Sequence, residues 1–474
     1  MKIREKMGLA LLVIGFLGLI VPSLAAAQQP TIKVNCNKGE SVQSALDNLT
    51  GPATIVVKGT CHENVVIKKD DVTIEGGTFL GPDPNQNTIH VQGARRVLIT
   101  GATIGGERNG VGLYQGGSVT IERSSIQGNA GVGIAANFGS LAVVNFCKIQ
   151  SNDSDGVVAT ANSSLLLIES TITDNGGAGV NVTRGSSARI GANFQGDARP
   201  NTIERNRGPG IKVYQASQAL IVNNTIQYNI GNGVFIEGAS ATLPNNTIKF
   251  NSKGIEVASA GNARIGINDN GSAGVGNIIE SNQLEGISIG NGGTAYMLNN
   301  QIRNNGLPTV RAGIGIYRAT GRLVGGNTIE GNGTHGVEVN QGTLFQGKGD
   351  WNLTPVPDII SQNGYTGIRA WNSASLDISN ATIQNNGHNG ISVDLHSTLN
   401  VDGSTISSNV DHGIWLNQGS AANLGSPPAS VKNNLSWGVF CADMESSLAG
   451  TTSGVTGNGT NGTKNVNCTG FGPD

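Results

Sequence analysis

The chain is poor in charged and aromatic residues. Charged residues form 13% and aromatic residues 4% of its 474 residues, and the formal net charge is −2. Such a weak and mixed charge gives no support for a nucleic-acid partner. Glycine occurs 71 times, which is unusual in an ordinary globular enzyme, whereas the many isoleucines and valines are unusual in a disordered chain. A repeat protein accounts for both observations.

Long apolar runs are absent beyond the first 27 residues. Those residues have a positive start, an apolar stretch from Leu9 to Val21 and small residues before Gln28, which is typical of a secretory signal peptide. We therefore predict a signal peptide over 1–27, cleavage after Ala27, and a secreted or periplasmic protein with no membrane insertion after cleavage. The alternative is an uncleaved membrane anchor, because residues 7–24 approach the length that spans a bilayer.

Cysteine is scarce and unevenly placed. Cys36 and Cys61 flank the start of the predicted domain, and Cys441 and Cys468 flank its end. In an exported chain we predict that these four form two disulfides that fasten the ends of the domain. Cys147 lies in an apolar strand pattern, so it is predicted to be a buried thiol rather than a reactive one.

A four-residue pattern recurs along most of the chain: glycine, isoleucine or valine, any residue, and usually another apolar residue. Many successive copies are 23 residues apart. An asparagine stands four residues before most of these glycines, and an aliphatic residue stands three residues before that asparagine. The glycines of the pattern are Gly110, Gly133, Gly156, Gly179, Gly210, Gly233, Gly254, Gly286, Gly313, Gly336, Gly367, Gly390, Gly413 and Gly438.

This period predicts a solenoid. Three short strands with inward aliphatic residues, joined by turns, use about 23 residues and return the chain about 4.8 Å above its start. Asparagine and glycine suit the bends because both tolerate left-handed backbone angles. Less regular copies at Val65–Ile67 and Ile89–Val91 bring the total to about sixteen coils. Helical periodicity occurs only at Ser41–Asn48, which we predict as a short helix that caps the first coil.

Three coils are longer than the others. The steps from Gly179 to Gly210, Gly254 to Gly286 and Gly336 to Gly367 are 31, 32 and 31 residues. The third insertion includes Trp351 and Pro355. All three follow the second strand of their coil, so they are predicted to project from one edge of the rod.

A family resemblance rests on the run Ile55–Cys61, on Glu63–Val65 and Val72–Ile74, and on the asparagine and glycine pattern that continues to Gly438. In these features nearly the whole mature chain resembles the pectate-lyase-like superfamily. The resemblance implies an all-β fold, a single right-handed parallel β-helix. That superfamily includes polysaccharide lyases, pectin-type hydrolases, uronate epimerases and binding or structural proteins, so the resemblance leaves the activity open.

The chain is accordingly predicted to have four parts. A signal peptide over 1–27 precedes an N-terminal cap with the first strands at 28–63. The β-helix covers 64–440, and a C-terminal cap covers 441–474.

Outward residues of the repeated strand give the main functional signal. In Gly-Ile-x-Val the aliphatic side chains point inward, so x and the residue after Val point outward. Aromatic rings that face solvent suit a sugar chain, because its apolar ring faces stack on them. The alternative is that large side chains stack along a sheet for stability alone. The predicted strip contains Tyr214, Phe235, Tyr317, Trp371 and Trp415.

Candidate catalytic residues cluster within this strip at Glu338, Arg369, Asp394 and His396. A uronate lyase or epimerase needs a base for the C5 proton and a cation that stabilises the enolate, roles that fit His396 and Arg369. The stretch Asn389–His396 also resembles the Gly-Ile-Asp-Pro-His-Asp stretch of bacterial mannuronan epimerases, from which it departs at Ser392, Val393 and Asp394. The alternative is that these are solvated surface groups.

Two functions remain open on sequence alone. The first is an exported β-helix protein that binds, and as an enzyme would process, an acidic polysaccharide as a lyase, epimerase or glycoside hydrolase. The second is a non-catalytic β-helix for surface attachment or envelope structure. The first function predicts a groove along the strip, with the insertions as a wall beside it.

We predict no cofactor and a monomer. We also predict no metal, because Asp153 and Asp155 fit turn chemistry.

Overall fold

A computed structural model describes residues 29–307, 309–347 and 356–468. The predicted signal peptide over 1–27 lies outside the described residues. Trp351 and Pro355 of the third insertion also lie outside them.

The chain forms a right-handed parallel β-solenoid. Each coil contributes one strand to each of three faces, which we call sheets I, II and III in the order in which the chain visits them. The solenoid has about 19 turns, so the prediction of sixteen coils was too low. The difference lies at the ends, because Thr31–Asn35 and Ala53–Cys61 pair below the first counted coil and Val466–Asn467 pairs above the last. None of these three strands carries the glycine pattern.

Sheet I contains the Gly-Ile-x-Val strands, and each strand pairs in parallel with its equivalent in the next coil. Its strands are Val65–Ile67, Ile89–Gln92, Val111–Tyr114, Ile134–Ala136, Val157–Ala159, Val180–Val182, Ile211–Tyr214, Val234–Glu237, Ile255–Ala258, Ile287–Gly290, Ile314–Tyr317, Val337–Asn340, Ile368–Trp371, Ile391–Val393, Ile414–Leu416, Val439–Cys441 and Val466–Asn467.

Sheet II begins at the N-terminus and includes two long strands that start the rod. Its strands are Thr31–Asn35, Ala53–Cys61, Val72–Gly81, Val97–Thr100, Ser118–Glu122, Leu141–Asn145, Ser164–Ile168, Ser187–Ile190, Gln218–Ile221, Ser240–Leu243, Asn262–Ile265, Thr294–Leu298, Thr320–Gly325, Thr343–Gln346, Ser375–Ser379, Thr398–Asp402, Ala421–Leu424 and Ser447–Gly450.

Sheet III is joined to sheet II because Val72–Gly81 pairs with strands of both faces. Its strands are Thr103–Gly106, Ser125–Asn129, Lys148–Gln150, Thr171–Thr173, Thr202–Glu204, Thr225–Gln227, Thr247–Lys249, Ile278–Glu280, Gln301–Arg303, Thr328–Glu330, Asp358–Ser361, Ala381–Gln384, Thr405–Ser407, Ser430–Lys432 and Val455–Thr456.

The N-terminal end is closed by helical segments, as predicted. A 3-10 helix at Cys36–Lys38 is followed by an α-helix at Val42–Asp47. The Ser41 hydroxyl accepts a hydrogen bond from the Ser44 amide at 3.1 Å, which satisfies one of the free amides of the first turn. Val42 and Leu46 are buried against the first coil. Among the described residues, no helix has the length and apolar character needed to cross a membrane.

Aliphatic side chains from all three sheets fill the interior in one continuous cluster. Isoleucines such as Ile236, Ile289 and Ile360 have no exposed surface. Each coil cannot bury its inner face alone, so the stack of coils is the folding unit.

The pattern asparagines form a buried ladder at the corner between sheets III and I. The Asn305 amide nitrogen donates to Asn332 Oδ1 at 3.2 Å, and Asn332 donates in turn to Asn363 Oδ1 at 3.0 Å. The ladder residues are not left-handed, which differs from the sequence interpretation. The left-handed position is the preceding residue, as at Asn304 with φ 55° and Gln362 with φ 55°.

A second ladder lies at the corner between sheets II and III. It runs through Asn201, Asn224, Asn246, Asn277, Asn300 and Asn327 to Asp358. The Asp358 carboxylate has no exposed surface and accepts hydrogen bonds from Asn327 and Gln346 at 2.8 Å each. Burial raises the pKa of Asp358 to about 6.

The cysteines pair at the two ends of the rod. Cys36 bonds to Cys61, and Cys441 bonds to Cys468, as predicted. Cys147 is a buried free thiol, and burial raises its pKa to about 11. At neutral pH it is therefore a thiol and not a nucleophilic thiolate.

The two insertions that the structure describes leave the rod at the corner between sheets II and III. They follow Ser187–Ile190 and Asn262–Ile265, the sheet II strands of their coils. The prediction that they project from one edge is confirmed for these two. The expectation that they would wall the aromatic strip was wrong, because that corner is opposite sheet I and the loops border sheet II instead.

Candidate functional site

Three lines of side chains run along the outer surface of sheet I, and strand pairing fixes their register. The central file is the x position: Lys212, Phe235, Glu256, Ser288, Gly315, Glu338, Arg369, Ser392, Trp415 and Phe440. The second file is two residues further along each strand: Tyr214, Glu237, Ala258, Gly290, Tyr317, Asn340, Trp371 and Asp394. The rim file precedes the pattern glycine: Lys253, Glu285, Ala312, His335, Thr366, Asn389, His412 and Trp437.

The predicted aromatic strip is divided between two of these files. Phe235 and Trp415 belong to the central file, whereas Tyr214, Tyr317 and Trp371 belong to the second file. All five are partly exposed. Tyr214 and Phe235 form a group of their own in the middle of the rod, and the other three lie nearer its C-terminal end.

The Tyr214 and Phe235 group has a cation above it. The Lys212 ammonium lies 4.1 Å from the Tyr214 ring centroid and 5.9 Å from that of Phe235. An ammonium is attracted to the negative face of an aromatic ring, which holds it in place. Its positive charge is therefore available to a solvent-side ligand.

Tyr317 reaches across sheet I to two carboxylates. Its hydroxyl lies 3.2 Å from Glu285 Oε1 and 3.4 Å from Glu338 Oε2. The ring passes directly over Gly315, where an added Cβ would lie 2.5 Å from Tyr317 Cε2. Glycine at this central position therefore permits the crossing.

The electrostatics keep the Tyr317 phenol protonated. Burial raises the pKa of Tyr317, and the charges of Glu338 and Glu285 raise it further. The phenol can donate its proton to one carboxylate at a time, so the three groups share a proton network.

Arg369 and Asp394 form the second part of the cluster. Arg369 Nε lies 3.7 Å from Asp394 Oδ2, and the guanidinium lies 5.2 Å from the Trp371 ring centroid. Burial raises the pKa of Asp394, and the Arg369 charge opposes that shift. Glu338 is the register partner of Arg369 in the adjacent coil. Three of the four predicted catalytic residues, Glu338, Arg369 and Asp394, are thus brought together.

His396 lies apart from this cluster. It is exposed, has φ 58° and occupies the turn that leads from sheet I to sheet II. Its imidazole approaches Gly419 in the next coil. The left-handed turn after Asp394 directs His396 away from the sheet surface.

The rim file adds residues that the sequence analysis did not select. Glu285 and His335 are 5% exposed, and Thr366 is fully buried. Burial, followed by the Arg369 charge, lowers the pKa of His335 to about 3. In the described part of the chain, His335 Nδ1 and Thr366 Oγ1 have no hydrogen-bond partner. The sequence does contain a signal for these residues as candidate site residues. They all directly precede a pattern glycine, and that position borders the outward surface of sheet I.

Aromatic and imidazole rings continue along the same corner. The His335 and Tyr365 ring centroids are 5.6 Å apart, and those of Tyr365 and His388 are 4.3 Å apart. His388 Nε2 lies 3.3 Å from Asp411 Oδ2. These rings form one side of the cluster that contains Arg369.

One group of residues meets the distance requirement for a candidate metal site. Within the described ranges, the one group of three potential ligands is Cys36, Cys61 and Glu63. Its two cysteines are disulfide-bonded, so they cannot bind a metal as thiolates.

Comparison with known proteins identifies the fold family. The profile of the family described as right handed beta helix region matches residues 54–198, 196–270, 242–346 and 356–470. No curated protein matches the chain.

The chain is also similar to several solved structures at low identity. The mannuronan C-5 epimerase AlgE6 A-module of Azotobacter vinelandii is 17% identical over 86% of this chain and 99% of its own, with a TM-score of 0.33. An alginate lyase from Paenibacillus sp. is 14% identical over 58% of this chain and 95% of its own, with a TM-score of 0.37. Pectate lyase Pel9A is 14% identical over 61% of this chain and 76% of its own, with a TM-score of 0.33. The family profile and the parallel coils together show that this chain belongs to the right-handed β-helix family.

Proposed function

We propose that the protein binds an acidic polysaccharide along sheet I and processes it by a lyase-type or epimerase-type reaction. The observation that carries the proposal is the Tyr317 phenol held between Glu285 and Glu338, with Arg369 in the coil next to Glu338. The proposal is supported because a proton donor, a proton acceptor and a cation on one surface are the groups that such a reaction needs.

Binding is assigned to the aromatic residues and the two cations of the strip. Rings of Trp371 and Trp415 offer apolar faces to a sugar, while Arg369 offers planar donors that match a uronate carboxylate. Lys212, above Tyr214 and Phe235, offers a second positive charge along the same sheet. A polymer bound along the files runs parallel to the rod axis. It can therefore contact both the group around Lys212 and the group around Arg369.

Chemistry is assigned to Glu338, Tyr317 and Arg369. Arg369 stabilises the negative charge that develops on the uronate when C5 loses its proton. Glu338 takes that proton. In a lyase the electron pair then forms the C4–C5 double bond as O4 leaves with a proton from Tyr317; in an epimerase Tyr317 gives its proton to C5 from the opposite face. In either case Glu338 returns the proton it took from C5 to the phenolate of Tyr317, with which it is in contact.

Of the two remaining predicted catalytic residues, Asp394 has a supporting role in this proposal and His396 has none. Asp394 orients the Arg369 guanidinium. His396 carries no proton role, because it lies on the turn outside the cluster.

The two disulfides fit an oxidising compartment outside the cytoplasm, which supports secretion or a periplasmic location.

A substrate panel tests the proposal. The protein is incubated with alginate and pectate, and ultraviolet absorbance reports unsaturated uronates while proton NMR reports inversion at C5. Tyr317→Phe should abolish either change, and Tyr228→Phe, which alters an exposed tyrosine at the end of a sheet III strand, should not. Turnover that survives Tyr317→Phe would contradict the assigned chemistry.

Binding is measured separately by retardation in gels that contain each polymer. Trp415→Ala should reduce retardation, whereas Phe146→Ala, at the corner between sheets II and III, should leave it unchanged. Retardation without turnover would favour the non-catalytic attachment function, and the absence of both would exclude acidic polysaccharides as ligands.

A further inference from the structure

A cavity of about 470 Å³ lies on sheet II, on a different face from the proposed polysaccharide site. Outward side chains of successive coils form its floor, including Leu166 and Leu220, with Ser187, Gln218 and Ser240 beside them. Leu166 is only 4% exposed although its strand position points outward. The space above the sheet is therefore partly covered.

Two insertion loops of similar structure border this cavity. An antiparallel bridge between Ala192 and Ala198 closes the first loop, and one between Ile267 and Ala273 closes the second. The sheet II strands that precede the loops are three coils apart, or about 14 Å at the usual strand spacing. The two intervening coils carry no insertion, which leaves room above the sheet.

Arg189 connects the floor of the cavity to both loops. Its Nη1 donates to the Asn193 carbonyl at 3.3 Å in the first loop. Its Nη2 lies 3.9 Å from Asp269 Oδ2 in the second loop. Arg189 and Asp269 both line the cavity, so the lining contains one cation and one anion that balance each other's charge.

The lining has the chemistry of a sugar-binding site. Phe194 in the first loop is 66% exposed and borders the cavity, so its ring is accessible to a ligand there. A pyranose presents an apolar face, which fits Phe194 and the leucines, and an edge of hydroxyls, which fits the serines, Gln218 and the ion pair. The cavity volume falls in the range of about 300–1,000 Å³ that is usual for small-ligand sites.

We propose that this sheet II cavity binds a neutral sugar unit. A neutral ligand is favoured over a uronate because the one cation of the lining, Arg189, is already opposite Asp269. A uronate would bring its carboxylate close to the carboxylate of Asp269, and the two negative charges would repel each other.

This site goes beyond the proposed function. It lies on a different face of the rod, takes a ligand of different charge and has no role in the chemistry at Tyr317.

Titration calorimetry with defined hexasaccharides tests this proposal. Cellohexaose and mannohexaose are the neutral probes, and hexamers of galacturonate and mannuronate are the acidic probes. At least one neutral probe should bind, and Phe194→Ala should weaken its binding about five-fold, as expected for the loss of one ring contact. Asp269→Asn should also weaken it, with no change in the fold because Asp269 is on an exposed loop.

Matched controls separate this site from sheet I. Phe138→Ala, which removes a ring of similar exposure in another turn, and Trp415→Ala should leave neutral binding unchanged. Failure of both neutral probes to bind, or full affinity in Phe194→Ala, would overturn the proposal. Tighter binding of an acidic probe that depends on Phe194 would overturn the assigned ligand class. None of these outcomes alters the test of turnover by Tyr317→Phe.

Discussion

Tyr317 crosses sheet I because Gly315 leaves the space for its ring. The sequence predicts that Tyr317 faces outward, since this follows from strand alternation. It does not predict the contact with Glu285, because alternation fixes the file of a residue and not the direction in which its side chain leans. The same reason explains why His396 was grouped with Arg369: spacing places it two residues after Asp394, but the turn at that point removes it from the sheet.

His335 gives a prediction for acid stability. Its pKa is about 3 in the folded chain and near 6.5 in an unfolded chain. Between these values the unfolded state binds a proton that the folded state excludes, so stability falls as the pH drops below about 6.5. Protonation of His335 should lower the free energy of unfolding by about 2.5 kcal/mol between pH 7 and pH 4.5.

Comparison of His335→Gln with the wild type isolates this effect from other titrating groups. Chemical unfolding at pH 7 and pH 4.5 should show a smaller acid loss in the variant by about that amount. His62→Gln, at an exposed histidine, is the control and should retain the wild-type pH dependence. An identical acid loss in His335→Gln and the wild type would show that His335 is not buried in its neutral form.

At the scale of the element, the strands were predictable and the ladders were not. Inward aliphatic residues with a regular period identify each sheet I strand, because burial imposes the pattern directly. Residue type predicts that the asparagines are turn residues, because asparagine suits bends. In the structure they are buried and bond from coil to coil, which a single coil considered alone does not reveal.

The ladder predicts a large effect from a single amide. In Asn332→Ala, the Asn305 backbone amide would lose its bond to Asn332 Oδ1, 3.0 Å long, and the Ile302 carbonyl would lose its bond from Asn332 Nδ2, 3.1 Å long. Unsatisfied buried groups cost about 1–3 kcal/mol each. The free energy of unfolding should therefore fall by about 3 kcal/mol, measured by denaturant titration. Asn340→Ala, on the partly exposed surface of sheet I, should change it by less than about 0.5 kcal/mol.

At the scale of the whole molecule, repetition made the fold predictable. Near-identical coils can bury their inner faces only by stacking, so the period implies the rod. The coils at the two ends of the rod lack the glycine pattern, so the sequence predicts too few coils. The corner at which the insertions leave the rod follows from their place after the second strand of the coil. The face that the loops border does not follow from it, because that depends on the conformation of each loop.

The terminal disulfides should act locally on this rod. The Cys441–Cys468 bond joins residues 27 apart, a loop whose closure contributes about 3.5 kcal/mol in the chain-entropy model. Because each coil contacts its neighbours alone, Cys441→Ser with Cys468→Ser should speed hydrogen exchange in Val439–Cys441 and leave Val337–Asn340 unchanged. Uniformly faster exchange along the chain would indicate one cooperative unit instead.

The alignment of outward residues into files is the claim on which both proposed sites depend. Lys212 and Trp415 belong to the central file and are separated by eight coil steps, or about 38 Å at the strand spacing. Spin labels on Lys212→Cys and Trp415→Cys, measured by double electron–electron resonance, should give one narrow distance near 40 Å. A distance below about 25 Å, or a broad distribution, would contradict the stacked register.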